Sequence, residues 1–128
     1  MVIDSSVLVA IAFRESDALE FVEAIQRDSV RLLAAPAKVE SAIVLIGRTG
    51  SEGRADLDAL IADLGIVVKP YGDEQAEAAV AAFTRFGRGR GGPLNFGGCF
   101  AYALARISGQ PLLFKGNDFA KTDIASVI

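Results

Sequence analysis

Short apolar runs alternate with helical stripes along the whole chain. Val2-Ile3 reads as a buried strand that ends at Asp4-Ser5-Ser6 and turns into a helix. Ala18, Phe21, Val22 and Ile25 share one helical face. Ser16 or Asp17 precedes it as a cap, with Glu20 at the spacing of a capping box. A second strand is predicted over Val30 to Ala34, then a helix opened by Pro36 with Val39, Ala42, Ile43 and Ile46 at helical spacing. Gly47 to Gly53 reads as a polar connection. Leu57, Leu60, Ile61 and Leu64 mark the next helix, which Gly65 ends.

Ile66-Val67-Val68 predicts a third strand closed by Pro70. Asp73 follows as the cap of a helix carrying Ala76, Ala79, Val80 and Phe83. Gly87 to Pro93 is a loop by composition. Asn95 to Ser108 contains a helix with Phe100, Ala103, Leu104 and Ile107 inward, and Leu112-Leu113-Phe114 makes a fourth strand. Ile124 to Ile128 predicts a last short one. Such alternation implies one α/β domain over residues 1–128, with three layers and a central parallel sheet of four to five strands between helices.

Composition then narrows the chemistry. The chain has no histidine, which excludes Ser-His-Asp triads, histidine-ligated zinc and histidine-based RNA cleavage. Cys99 is the single cysteine, so no internal disulfide and no cysteine zinc site can form, as suits a reducing cytoplasm. No secretory signal and no run long enough to span a bilayer is present, so a cytoplasmic protein without a membrane partner is expected. A net charge of −3 does not favour nucleic acid unless a local basic patch meets the phosphates.

The acids are the remaining candidates. Ligands of parallel sheets gather beyond the carboxyl ends of the strands. Asp4 directly follows the first strand, Asp118 closely follows the fourth, and Glu40 sits about one turn into the helix after the second. Converging carboxylates repel, and a divalent cation resolves the conflict; oxygen ligands suit Mg²⁺ or Mn²⁺. Each acid also has a plainer reading: Asp4 as a helix cap, Glu40 as a solvated helix residue, Asp118 as a turn residue. A phosphatase with an aspartyl nucleophile would need a second acid where Ser6 stands.

With those residues in place, the whole chain resembles a VapC-type PIN-domain ribonuclease toxin. Val2-Ile3-Asp4-Ser5-Ser6-Val7-Leu8 resembles the opening strand with its first metal-binding acid. Ala35 to Ala42 is similar to the second motif, with Glu40 as its acid. Leu94-Asn95-Phe96-Gly97-Gly98-Cys99-Phe100-Ala101-Tyr102-Ala103-Leu104-Ala105 resembles the third, and Leu112 to Phe119 the fourth, with Asp118. The resemblance implies a metal-dependent endoribonuclease with Asp4, Glu40 and Asp118 as catalytic metal ligands. It gives Ser6, Asn95 and Asp123 supporting positions; Asp123 reads equally well as a surface turn residue.

One position departs from the pattern. The third motif carries an aspartate where this chain has Gly98, so one of four acids is missing. The resemblance therefore implies an impaired enzyme, or alternatively a non-catalytic module that binds antitoxin or RNA. It further implies a VapB-like antitoxin, an RNA substrate and a homodimer. Arg85, Arg88, Arg90 and Lys115 are the candidates for phosphate contact, with Lys121 nearby; each is also readable as solvated surface charge. The helices from Ser16 to Ile46 and the segment Leu57 to Leu64 are candidate protein-contact surfaces, or plain core packing.

Overall fold

A computed structural model describes residues 1–128. Its elements run β1 (Val2–Ile3), α1 (Ser5–Ala12), α2 (Ala18–Arg27), β2 (Leu32–Ala34), α3 (Ala35–Thr49), α4 (Ser51–Asp63), β3 (Val67–Lys69), α5 (Asp73–Phe86), α6 (Phe96–Ser108) and β4 (Leu112–Leu113). The four strands form one sheet in the order β3-β2-β1-β4, with every pairing parallel. Val2 is in register with both Leu32 and Leu112. The chain builds outward from β1 through β2 to β3 and then returns to the other side of β1 with β4. The order reverses between β1 and β4, and the carboxyl ends of strands at such a reversal open a crevice.

The core forms where these strands meet α1 and α6. Val2, Ile3, Leu33, Leu112 and Leu113 are buried, as strands covered on both faces require. In α6, Ala101, Ala103 and Ala105 let the helix sit deep in the protein, and Tyr102 and Leu104 are buried beside them. This differs from the expected inward set, because Ile107 is exposed and Phe100 only half-buried. The same inversion recurs in α3. Ala37, Ser41 and Leu45 face inward, whereas Val39, Ile43 and Ile46 lie in solvent. In α5, Ala79 and Ala82 are buried while Val80 and Phe83 are exposed. Small residues permit close helix approach, and the large apolar ones are left on an uncovered face.

Other expectations need correction. For the segment from Leu57 to Leu64, the core-packing alternative describes Leu57 and Leu64, which are buried, and Leu60 and Ile61 are half-buried. In α2, Phe21 and Ile25 likewise face inward. Asp17 precedes α2 but makes no cap hydrogen bond, because its carboxylate is held by Lys115. The cap of α5 is Gly72, whose N–H donates to Gln75 at 2.8 Å. Residues 124–128 add a single bridge, Ser126 to Leu112, and no fifth strand.

The polar connection predicted over Gly47 to Gly53 contracts to Gly50, which joins α3 to α4 at φ 61°. Gly53 lies inside α4, buried against α3, where an added Cβ would stand 2.5 Å from the Leu45 carbonyl carbon. Backbone cannot yield as a side-chain tip does. Gly53→Ala is therefore expected to destabilise the chain by about 1–3 kcal/mol despite alanine's better helix propensity. Urea unfolding of the two chains measures this.

Candidate active site

Asp4 closes β1 and caps α1. Its backbone is extended, and Oδ2 accepts the Ser6 N–H at 3.0 Å. The Ser6 hydroxyl donates to the same oxygen at 2.5 Å and accepts the Lys115 backbone N–H at 3.0 Å. Cap and candidate acid are thus one residue, and the capping bonds fix how the carboxylate is held. Through Ser6 its orientation is tied to the turn after β4 on the neighbouring strand.

That turn carries Asp118, reached through Gly116 at φ 90°. From the other neighbour, β2, the chain passes directly into α3, whose early proline suits a helix start. Glu40 lies in the second turn of that helix. Asn95 caps α6, its Oδ1 accepting the Gly98 N–H at 2.7 Å. A cavity of about 240 Å³ opens between these elements, lined by Asp4, Ser6, Glu40, Asn95, Gly98, Lys115 and Asp118 among others. Seven of the residues singled out by sequence therefore share one cavity at the reversal of strand order.

The electrostatics are those of crowded acids. Asp4 is only 7% exposed, and burial pushes its pKa above the ordinary carboxylate value. The Ser6 hydrogen bonds oppose that rise, and the charge of Asp118 adds to it. Glu40 is raised by burial first and by the charge of Asp4 second, with the Ser5 hydroxyl opposing. Both shifts signal carboxylates short of positive charge. All the candidate donors are oxygens, which fits a hard divalent cation in kind. The set is short in number, because no group of three acidic or thiol side chains is arranged to hold one ion. Gly98 contributes no donor from the cavity wall.

The remaining candidates stand elsewhere or are already paired. Asp123 does not line the cavity. It accepts the Tyr102 hydroxyl at 2.5 Å and pairs with Arg85 at 3.2 Å, and these bonds hold its pKa below the ordinary value. Burial and the Asp123 carboxylate push the Tyr102 hydroxyl up to about 12. This pair fastens residues 115–128 to α5 and α6, so Asp123 has a structural tie in place of the expected support to the acids. Arg85, offered for phosphate, is committed to the same tie. Lys115 lines the cavity, but its amino group is held by Glu15 and, at 2.9 Å, by Asp17. Nothing local in the sequence marks that clamp, whose members are about a hundred residues apart. Arg88 and Arg90 are exposed on the loop between α5 and α6, outside the cavity.

Beside the acids runs an apolar groove of about 710 Å³ between α3 and α6, lined by Val39, Ile43, Tyr71, Phe96 and Phe100, with Glu40 at its edge. Phe96 is 79% exposed and packs edge-on to Phe100 at 4.8 Å between centroids.

Comparison with known proteins adds an independent line. The PIN domain matches residues 1–125. Ribonuclease VapC30 of Mycobacterium tuberculosis is 45% identical over 128 residues, covering 99% of this chain and 98% of its own length. Ribonuclease VapC of Mycolicibacterium smegmatis is 44% identical, covering 99% of each. The crystal structure of Mycobacterium tuberculosis VapC20, a Sarcin-Ricin loop cleaving toxin, matches with a TM-score of 0.80 over 97% of this chain and 95% of that one. At 14% identity, that likeness speaks for the fold alone.

Proposed function

This chain belongs to the PIN-domain family, among its VapC-type ribonuclease toxins, and from that premise we propose a divalent-cation-dependent endoribonuclease impaired by Gly98. One observation carries the reading. Asp4 is buried and Glu40 half-buried on a single cavity, each raised by burial and by a neighbouring carboxylate, and Gly98 is the bare position on the same wall. Asp4, Glu40 and Asp118 would supply the ligands for Mg²⁺ or Mn²⁺, although the three do not stand grouped for one ion in this structure, with Ser6 orienting Asp4 and Asn95 fixing the start of α6. Such a cation, when bound, polarises a phosphoryl oxygen and acidifies water. The chain's own acids would bind it and would accept a proton from water; with one acid fewer, affinity and rate are both expected to fall. RNA cleavage in Mg²⁺ or Mn²⁺, by this chain and by Gly98→Asp, tests the reading.

A second reading is a non-catalytic module that binds antitoxin or RNA. Gly98 and the lack of a three-acid cluster favour it. Calorimetric titration separates the two, since the enzyme reading expects saturable Mn²⁺ binding that Asp4→Asn removes.

Arg88 and Arg90 remain the candidates for RNA phosphate. Each real contact steepens the salt dependence of binding by about one unit in log–log slope. Arg88→Ala and Arg90→Ala are each expected to flatten it by about that amount in filter-binding titrations; an unchanged slope removes the assignment. The VapC relatives support a VapB-like antitoxin as partner. We assign partner contact, from the antitoxin or from a second copy in a homodimer, to the exposed face of Val39, Ile43, Val80, Phe83 and Phe96.

A further inference from the structure

The placement of Glu40 depends on a residue that has no side chain. Gly97 is the second residue of α6, with no positive φ that would demand glycine. A Cβ added to it would lie 2.8 Å from both Cδ and Oε1 of Glu40, and Oε2 is nearer still. Those are the three nearest atoms, and all belong to one carboxyl group. The contrast with Gly53 is direct, because there the obstacle is the backbone of α3. Gly97 is therefore not required for close helix packing. What occupies its missing side-chain volume is the Glu40 carboxylate itself.

We propose that Gly97 is a positioning residue: its bare Cα is the seat of the Glu40 carboxylate, and any larger residue evicts that group from its place beside Asp4. The steric argument stands without a cation. Its consequence for cation binding rests on the function proposed above.

The test is the Gly97→Ala chain. Alanine favours the helix, so this variant is expected to fold with a Tm equal to or above the parent's. Its crystal structure is expected to show the Glu40 carboxylate displaced until ordinary contact with the new methyl is restored. Mn²⁺ affinity by calorimetry is expected to fall about 10- to 100-fold. Glu40→Gln should then cost nothing more in the Gly97→Ala background, though it weakens binding in the parent. Glu40→Asp, one methylene shorter, should recover part of the loss. An unmoved Glu40 carboxylate, or independent multiplicative effects of the two substitutions, would overturn the proposal. If the parent binds no Mn²⁺ at all, the cation reading fails, and the position of Glu40 in the variant structure still decides the role of Gly97.

Discussion

Gly98→Asp is expected to raise RNA cleavage in Mg²⁺ or Mn²⁺ by about two orders of magnitude or more. The position accepts the change. Its backbone is not in the left-handed region, and an acid in the first turn of α6 meets the favourable end of the helix dipole. The added Cβ would come within 2.8 Å of a Leu94 methyl and 3.2 Å of Asn95 Oδ1. The tip of Leu94 must shift slightly, and no backbone stands in the way. The new carboxylate joins acids that already repel, so the variant without cation should melt lower than the parent. Mn²⁺ should then raise its Tm more than it raises the parent's, because the ion binds the folded site. Equal and robust cleavage by both chains would show that Gly98 is no impairment.

Asp4→Asn is expected to abolish cleavage in the Gly98→Asp background and yet to raise Tm by several degrees at neutral pH. The sign follows from the raised pKa of Asp4. The folded chain holds the Asp4 proton more tightly than the unfolded chain does. The stability this group contributes is full below its unfolded pKa, and it is lost as pH rises through the raised folded value. At neutral pH the acid's charge burdens the fold, because burial disfavours it while the unfolded chain carries it freely. Asparagine removes that charge and can still accept both Ser6 hydrogen bonds through its carbonyl oxygen. The gain should vanish below about pH 3.5, where the native aspartic acid is protonated in both states. Melting curves across pH check this, and a variant less stable at pH 7 would sink the account.

The strands and the acid placement were legible because each depends on short-range pattern. A buried parallel strand leaves an apolar run, and its carboxyl end marks where the next polar residue must lie. Asp4 follows from that, Asp118 lies a short turn beyond the fourth strand and needed the motif resemblance to single it out, and the sheet order brings Glu40 to the same cavity. The facing of α3 and α5 was not legible from apolar periodicity. Both helices are apolar on two sides, and alanines bury more readily than the larger Val39, Ile43 and Phe83. Distance in sequence hid the ion pairs. Asp17 carries the spacing of a cap, and only the fold reveals its bond to Lys115. Asp123 likewise matches a family position, and its partners Arg85 and Tyr102 come from other elements.

Beyond Lys115, residues 116–128 meet the sheet through one bridge at Ser126 and are pinned by buried Phe119 and the Asp123 clamp. Asp118 rides on this segment, whereas Asp4 and Glu40 are set by the central strand and a fifteen-residue helix. Segments with few ladder bonds open locally without global unfolding. Amide exchange should therefore be faster over residues 116–126 than over β1 and α6, and Asp123→Asn should accelerate it selectively. Asp4 and Glu40 sit on elements that such an opening leaves in place, and only Asp118 leaves the pocket with the segment.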